Sequence, residues 1–359
     1  MQYSPVFWEF QAKRQLSATG MSGKPVAEPA EIMKKIVMLV SCLLLQAWSV
    51  AAPAAEKLVF GLIAPTDAED TRRRWQPLLD DLSKATGMDV QVVVSGRYDD
   101  VVNGLKNNTV QVAWLSNKVA LEAVESGKAS VFAKMIRLDG SKGYNSVLIT
   151  QASGQLQNTD QLFAQPGVFR FADGEPNSTS GHLVPTYYLF SKNKVEPARL
   201  FRQVRSGSHK DNLKAVLNSE VDVATYNSEG LDLLKTEAPA DFKKLRVIWT
   251  SPLIPNDPLL YRKDLSPALK NKLEDFFANY GKRANASQKE TLRAIQNLSG
   301  FARSNDAQLK PIADLTLFSL LRQNLNDTQL TPEQKQKRFD ELSARFGKLS
   351  AILESARLN

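Results

Sequence analysis

The residues best suited to chemistry gather at four places where an apolar, strand-like run gives way to a helical pattern. The richest is Asp173-Gly174-Glu175-Pro176-Asn177-Ser178-Thr179-Ser180-Gly181, which opens a helical stretch containing Leu183 and Tyr187. Three adjacent hydroxyls beside the unpaired N–H groups of a helix start can surround a tetrahedral oxyanion. The same residues also suit a plain N-cap, which needs one hydroxyl and not three. Both readings stand at this stage. Ser206-Gly207-Ser208-His209 is a second junction, where His209 can donate to an anion whether neutral or protonated, or can be an ordinary surface histidine. Gly96-Arg97-Tyr98 brings a phenolic donor that equally suits packing, and Leu115-Ser116-Asn117 is the fourth junction.

Little in the chain supports catalysis. Ser180 is not in a G-x-S-x-G elbow, and no G-x-x-x-x-G-K-[ST] phosphate loop occurs. The only histidines are His182 and His209, which rules out a histidine-rich metal centre, and nothing points to a cofactor. Net charge is +8 and falls to +6 once the first 54 residues are removed. Beyond them Arg72-Arg73-Arg74 is an isolated basic run among interspersed acids, so the surface reads as mildly basic and solvated, with no nucleic-acid fingerprint.

The N-terminal region carries an address. Lys34 and Lys35 precede an apolar run from Ile36 to Val50, followed by Ala51, Ala52, Ala54 and Ala55. Basic, apolar and small residues in that order predict a secretory signal over about 33–54, cleaved near Ala54, with Met33 as the expected true start and a real N-terminal extension over 1–32 as the alternative. The single cysteine, Cys42, lies in the apolar run; Leu39-Val40-Ser41-Cys42 resembles a lipid-attachment box but sits too early in the run, so a cleaved periplasmic protein is expected before a lipoprotein. The exported chain then has no thiol, hence no disulfide, Cys-ligated zinc or thiol nucleophile.

After the signal, strands alternate with helices. Strands are expected at 58–63, 90–94, 110–115, 131–137 and 144–150, with helices at 73–86, 99–106 and 118–125. A second series follows, with strands at 168–172, 201–204, 221–225 and 245–249 and helices at 181–191 and 210–217. The remainder, from about Ser266, reads as almost wholly helical. Two such series predict two α/β lobes with mainly parallel sheets, and ligands of such sheets collect beyond the carboxyl ends of the strands.

The motifs then become recognisable. Gly-Glu-Pro-Asn-Ser-Thr-Ser-Gly (174–181), Val-Pro-x-Tyr-Tyr (184–188), Val-Asp-Val-Ala-Thr (221–225), Ser-Pro-Leu-Ile-Pro-Asn-Asp-Pro (251–258) and Asp-Phe-Phe-Ala-Asn-Tyr-Gly-Lys (275–282) occur in order and spacing. The chain resembles the phosphonate-binding proteins of ABC importers, the PhnD family. That resemblance implies a type II periplasmic binding fold: two lobes joined by two crossover strands, with lobe 1 at 55–150 and 252–325, lobe 2 at 151–251 and a C-terminal helix at 326–359. It implies capture of a phosphonate, 2-aminoethylphosphonate first among candidates, by lobe closure and delivery to an inner-membrane ABC permease. The phosphonate group is implied to lie against Ser178, Thr179, Ser180, Tyr144, His209 and Tyr98, and the amino group against Glu229 and Asp257. The alternatives are a binder of phosphate, phosphite or another phosphonate and, in another class, a hydrolase of phosphorylated compounds using Ser180 and His209. Two positions depart from the family pattern: Leu115 and Asn145 stand where it has Tyr and Trp.

The last helix is signalled by Thr331-Pro332-Glu333-Gln334, a capping box with Pro at the first helical position. Phe339, Leu342, Phe346, Leu349 and Leu353 then recur at spacings of three and four. Such a seam either folds onto its own lobe or pairs two copies into a homodimer.

Overall fold

The computed structural model describes residues 56–282 and 285–357. The signal expected over 33–54, Cys42 and the upstream extension lie outside them.

The chain opens with β1 (Lys57–Ile63), the Ala68–Thr86 helix and β2 (Asp89–Ser95). The Asp67 carboxylate caps that helix by accepting from Asp70 N at 3.0 Å, and Gly87, at φ +73°, ends it in the left-handed conformation that suits a residue without Cβ. After the Tyr98–Lys106 helix come β3 (Val112–Trp114), the Asn117–Glu125 helix and β4 (Ala129–Arg137). A two-residue strand, β5 (Gly143–Tyr144), leads to β6 (Ser146–Gln151), β7 (Arg170–Gly174), β8 (Gln203–Gly207), β9 (Val223–Asn227) and β10 (Leu245–Thr250). The return passes through β11 (Ile254–Pro255) to β12 (Pro258–Arg262), and β13 (Leu298–Arg303) follows two helices later.

Two sheets result. The first has order β13-β4-β12-β3-β1-β2, with β1 parallel to β2 and β3, and β12 and β13 running against their neighbours. The second has order β10-β6-β9-β7-β8, parallel from β9 to β8 and antiparallel on either side of β6. Each sheet is covered on both faces: in β6, Val147 and Ile149 enter one apolar cluster while Leu148 enters the other. The chain crosses between the sheets twice, and the two crossings pair with each other, Tyr144 opposite Ile254 and Gly143 opposite Pro255.

Two expectations need correcting, and a third matter left open between two alternatives is decided. β6 pairs with β9 from Ser146 onward, so the first crossing comes before residue 146 and not after residue 150. The tail is not almost wholly helical: β13 interrupts it and pairs with β4, and Asn297, at φ 52°, ends the Ala286–Gln296 helix just before it. A single short strand among helices is too brief to announce itself by alternation. Finally, the capping box forms as expected, with Gln334 N donating to Thr331 Oγ1 at 3.3 Å and Thr331 N to Gln334 Oε1 at 2.8 Å. The Pro332–Ser355 helix that it starts buries Leu342, Phe346, Leu349 and Leu353 in the first lobe's own core and leaves only Phe339 of the seam exposed. The stripe considered for a homodimer is therefore spent inside the chain.

Candidate functional site

The 173–181 segment follows β7 and is held tightly. A Cβ on Gly174 would stand 2.4 Å from the Gly181 Cα, so only glycine lets the strand end and the helix start approach this closely. The helical stretch over 179–191 is widened to π-type turns, with Leu183 N donating to Ser178 O at 3.1 Å and Lys192 N to Tyr187 O at 3.2 Å. Such widening is frequent at functional sites.

The three hydroxyls take three different roles. Ser178 Oγ accepts from Gly181 N at 2.9 Å, the plain N-cap, and lies beside the Tyr98 hydroxyl of the first lobe. Thr179 Oγ1 accepts from Lys118 N at 2.8 Å. Lys118 belongs to the Asn117–Glu125 helix of the first lobe, whose own N-cap residue, Ser116, makes no side-chain cap and donates instead to Asn177 O at 3.3 Å. One lobe thus caps a helix of the other. Ser180 Oγ lies 3.3 Å from His209 Nε2. His209 opens the His209–Leu217 helix, its backbone N–H donates across the cleft to Pro65 O at 3.0 Å, and burial pushes its imidazole pKa down to about 4. At neutral pH it is therefore an uncharged ring. Its Nδ1 has no hydrogen-bond partner among the described residues, so no carboxylate orients it as a base and the Ser180–His209 pair lacks the third member of a hydrolytic triad.

The acids lie at the crossings. Asp257 precedes β12; its Oδ1 accepts from the Tyr144 hydroxyl and from Asn117 Nδ2, each at 3.0 Å. Burial, and then the charge of Glu229, hold its carboxyl well above the usual range. Glu229 sits in the first turn of the Ser228–Glu237 helix; burial raises its pKa, while Arg137, 3.2 Å away at the end of β4, opposes the rise. Tyr144 feels the charges of Asp257 and Glu229, and Tyr98 that of Asp257. The structure therefore brings all eight expected residues, Ser178, Thr179, Ser180, Tyr144, His209, Tyr98, Glu229 and Asp257, into one buried seam between the lobes. Tyr144 gives its hydroxyl to the acidic end, whereas the resemblance had implied the phosphonate group. Among the described residues no metal-ligating cluster occurs.

Sequence reasoning missed Arg137 and Lys118 as parts of this seam, while Asn117 had been marked only as a member of the fourth junction. Both read as ordinary solvated cations, and only the fold carries them under the opposite lobe. The departures are absorbed locally: Leu115 is buried in the first core, and Asn145 links the crossing to its neighbours through Ser251 O at 2.8 Å and Ser228 Oγ at 3.0 Å.

Comparisons with known proteins agree with this arrangement. Residues 60–309 match the family model described as the periplasmic substrate-binding protein of phosphonate ABC transporters. The phosphonates-binding periplasmic protein of Escherichia coli is 40% identical over 295 residues, covering 82% of this chain and 86% of that protein. The crystal structure of a binding-protein component of an ABC phosphonate transporter from Pseudomonas aeruginosa superposes with a TM-score of 0.76 at 38% identity, over 84% of this chain and 99% of that one. A Prochlorococcus marinus protein in complex with methylphosphonate shares the fold, with a TM-score of 0.65 at 22% identity over 72% of this chain and 97% of the other. The seam between two lobes, the motifs within it and these relatives lead to one assignment: the chain belongs to the periplasmic phosphonate-binding proteins of ABC transporters, which bind solute and do not transform it.

Proposed function

We propose that this protein captures a phosphonate bearing a single ammonium, 2-aminoethylphosphonate, between its lobes and presents it to an inner-membrane permease. Ser178, Thr179, Ser180, His209 and Tyr98 receive the phosphonate, Asp257 and Glu229 face the ammonium, and Tyr144 stands where the two ends meet. The observation that carries the reading is the state of Asp257. It is buried, its carboxyl is held far above its usual range, and its side-chain hydrogen-bond partners, Tyr144 and Asn117, are neutral. A buried carboxylate of that kind is short of a cation. The opposite end offers neutral donors and the first amides of a helical stretch, which suit an oxyanion.

Calorimetry with 2-aminoethylphosphonate, run beside a turnover assay, tests this: tight binding with the ligand recovered intact is expected. Preference for phosphate or phosphite over the aminophosphonate overturns the ligand choice, and hydrolysis would revive the enzyme reading. Export through a signal over 33–54 is part of the same proposal, and mass measurement of the exported protein should place its N-terminus between Ala51 and Glu56.

A further inference from the structure

The cleft's acidic end contains a cation of its own. Arg137 is the last residue of β4, and its side chain is 4% exposed. Nη1 donates to Glu229 Oε1 at 3.2 Å and to the Gln296 carbonyl at 3.3 Å, while Nη2 donates to Asp232 Oδ2 at 2.6 Å. Glu229 and Asp232 are three residues apart on one helix, so they share a face, and the guanidinium fork spans both. The first lobe supplies Arg137 and the Gln296 carbonyl; the second supplies the two acids. Asp232 is half exposed and shares its charge with solvent, whereas Glu229 is buried. Glu229 is therefore the acid whose burial depends on Arg137.

We infer that Arg137 determines specificity as a built-in counter-cation: it satisfies Glu229 and leaves Asp257 as the one carboxylate that the ligand must neutralise. This rests on the reading of the acidic end given above and deepens it. Two bare carboxylates would favour a doubly cationic ligand and repel any phosphonate with an uncharged tail. With Arg137 in place the end presents one unmatched negative charge. It suits a monoammonium phosphonate and penalises an alkylphosphonate only moderately.

The test measures the affinities of 2-aminoethylphosphonate and ethylphosphonate in the wild type, Arg137→Met, Arg137→Lys and Asp257→Asn. Ligand-free melting curves confirm that each variant is folded. Arg137→Met weakens both ligands through the lost bridge between lobes, and it raises the preference for the aminoethyl ligand by about tenfold, because Glu229 is no longer matched. Arg137→Lys keeps the charge and stays within about threefold of the wild-type preference. Equal losses for both ligands in Arg137→Met make Arg137 a clamp between lobes and nothing more, which overturns the inference. If Arg137→Met does not fold, Glu229→Gln supplies the mirror: it unmatches Arg137, and the preference must fall; an unchanged preference there overturns the inference as well. A preference that does not respond to Asp257→Asn removes the reading of the acidic end, and the inference with it.

Discussion

Replacing Asp257 with Asn removes one charge from the cleft and almost nothing else. Asp257→Ala would be a poorer experiment, because the Tyr144 hydroxyl and Asn117 Nδ2 both donate to Oδ1. Each donor left buried without a partner costs about 1–3 kcal/mol, and that loss would be confused with lost binding. Asparagine keeps an acceptor of the same shape. Asp257 is 6% exposed, so an ammonium beside it would be desolvated with it. Breaking a desolvated, hydrogen-bonded charge pair costs about 2–5 kcal/mol, or roughly thirty-fold to several thousand-fold in affinity. Asp257→Asn should therefore weaken 2-aminoethylphosphonate by a factor in that range. Ethylphosphonate, which has no ammonium, should hold its affinity or gain, since a negative charge near its apolar tail is gone. Calorimetry on both ligands, with melting curves of the free proteins, reads the whole pattern. Equal losses for both ligands refute the ammonium assignment and leave a binder of plain oxyanions.

Ser180→Ala should weaken both ligands alike, by about ten- to hundredfold, the range for one hydrogen bond to a charged group, again read by calorimetry. His209 is held neutral by burial, with its pKa pushed down to about 4. The unfolded state then binds the extra proton first, so its contribution is whole above about pH 6.5 and is lost as pH falls from there toward about 4. Ligand-free wild type should thus lose more stability between pH 7 and pH 5 than His209→Gln does; equal losses in denaturant titrations count against the burial argument. Leu349→Ala, in the last helix, should destabilise the protein by about 2–4 kcal/mol in such titrations, because Leu349 is 1% exposed in the first lobe's core. The full-length protein should sediment as a monomer at micromolar concentration.

The alternation of strands and helices was legible because strands covered on both faces read as apolar runs whichever way their neighbours run, and β1 and β6 are such runs. What could not be read was sheet membership. β6 is as apolar as β4, and nothing in its composition says that it pairs with β9 rather than with a strand of the first sheet. The hydroxyl loop was visible because helix starts select Ser and Thr, yet its division of labour was not. Thr179 serves Lys118, some sixty residues earlier in the chain, and that partnership exists only when the lobes meet. Glu229 and Asp257 came from the resemblance alone, for buried and solvated acids look identical in a sequence. Arg137 escaped for the same reason, since its acidic partners lie on the opposite lobe.

The contacts between lobes divide into two kinds, and the division bears on how capture works. Outside the cleft are the ion pairs Lys210–Asp67 at 2.6 Å and Arg74–Glu237 at 2.7 Å, both part-exposed. Pairs of that kind contribute about 0–1 kcal/mol each and weaken with salt. Inside are Tyr98 with Ser178, Thr179 with Lys118, and Arg137 with Glu229, all buried or nearly so. Four of these side chains, Tyr98, Ser178, Thr179 and Glu229, are also groups proposed to meet the ligand. The rim pairs thus hold the two lobes together only loosely, and the buried contacts lie among the groups proposed to meet the ligand. A ligand shifts a two-state equilibrium only by its difference in affinity for the two states. Through Thr179 the second lobe caps the first lobe's Asn117–Glu125 helix, so the amide that Ser116 leaves uncapped is satisfied across the seam, beside the groups proposed to meet the ligand.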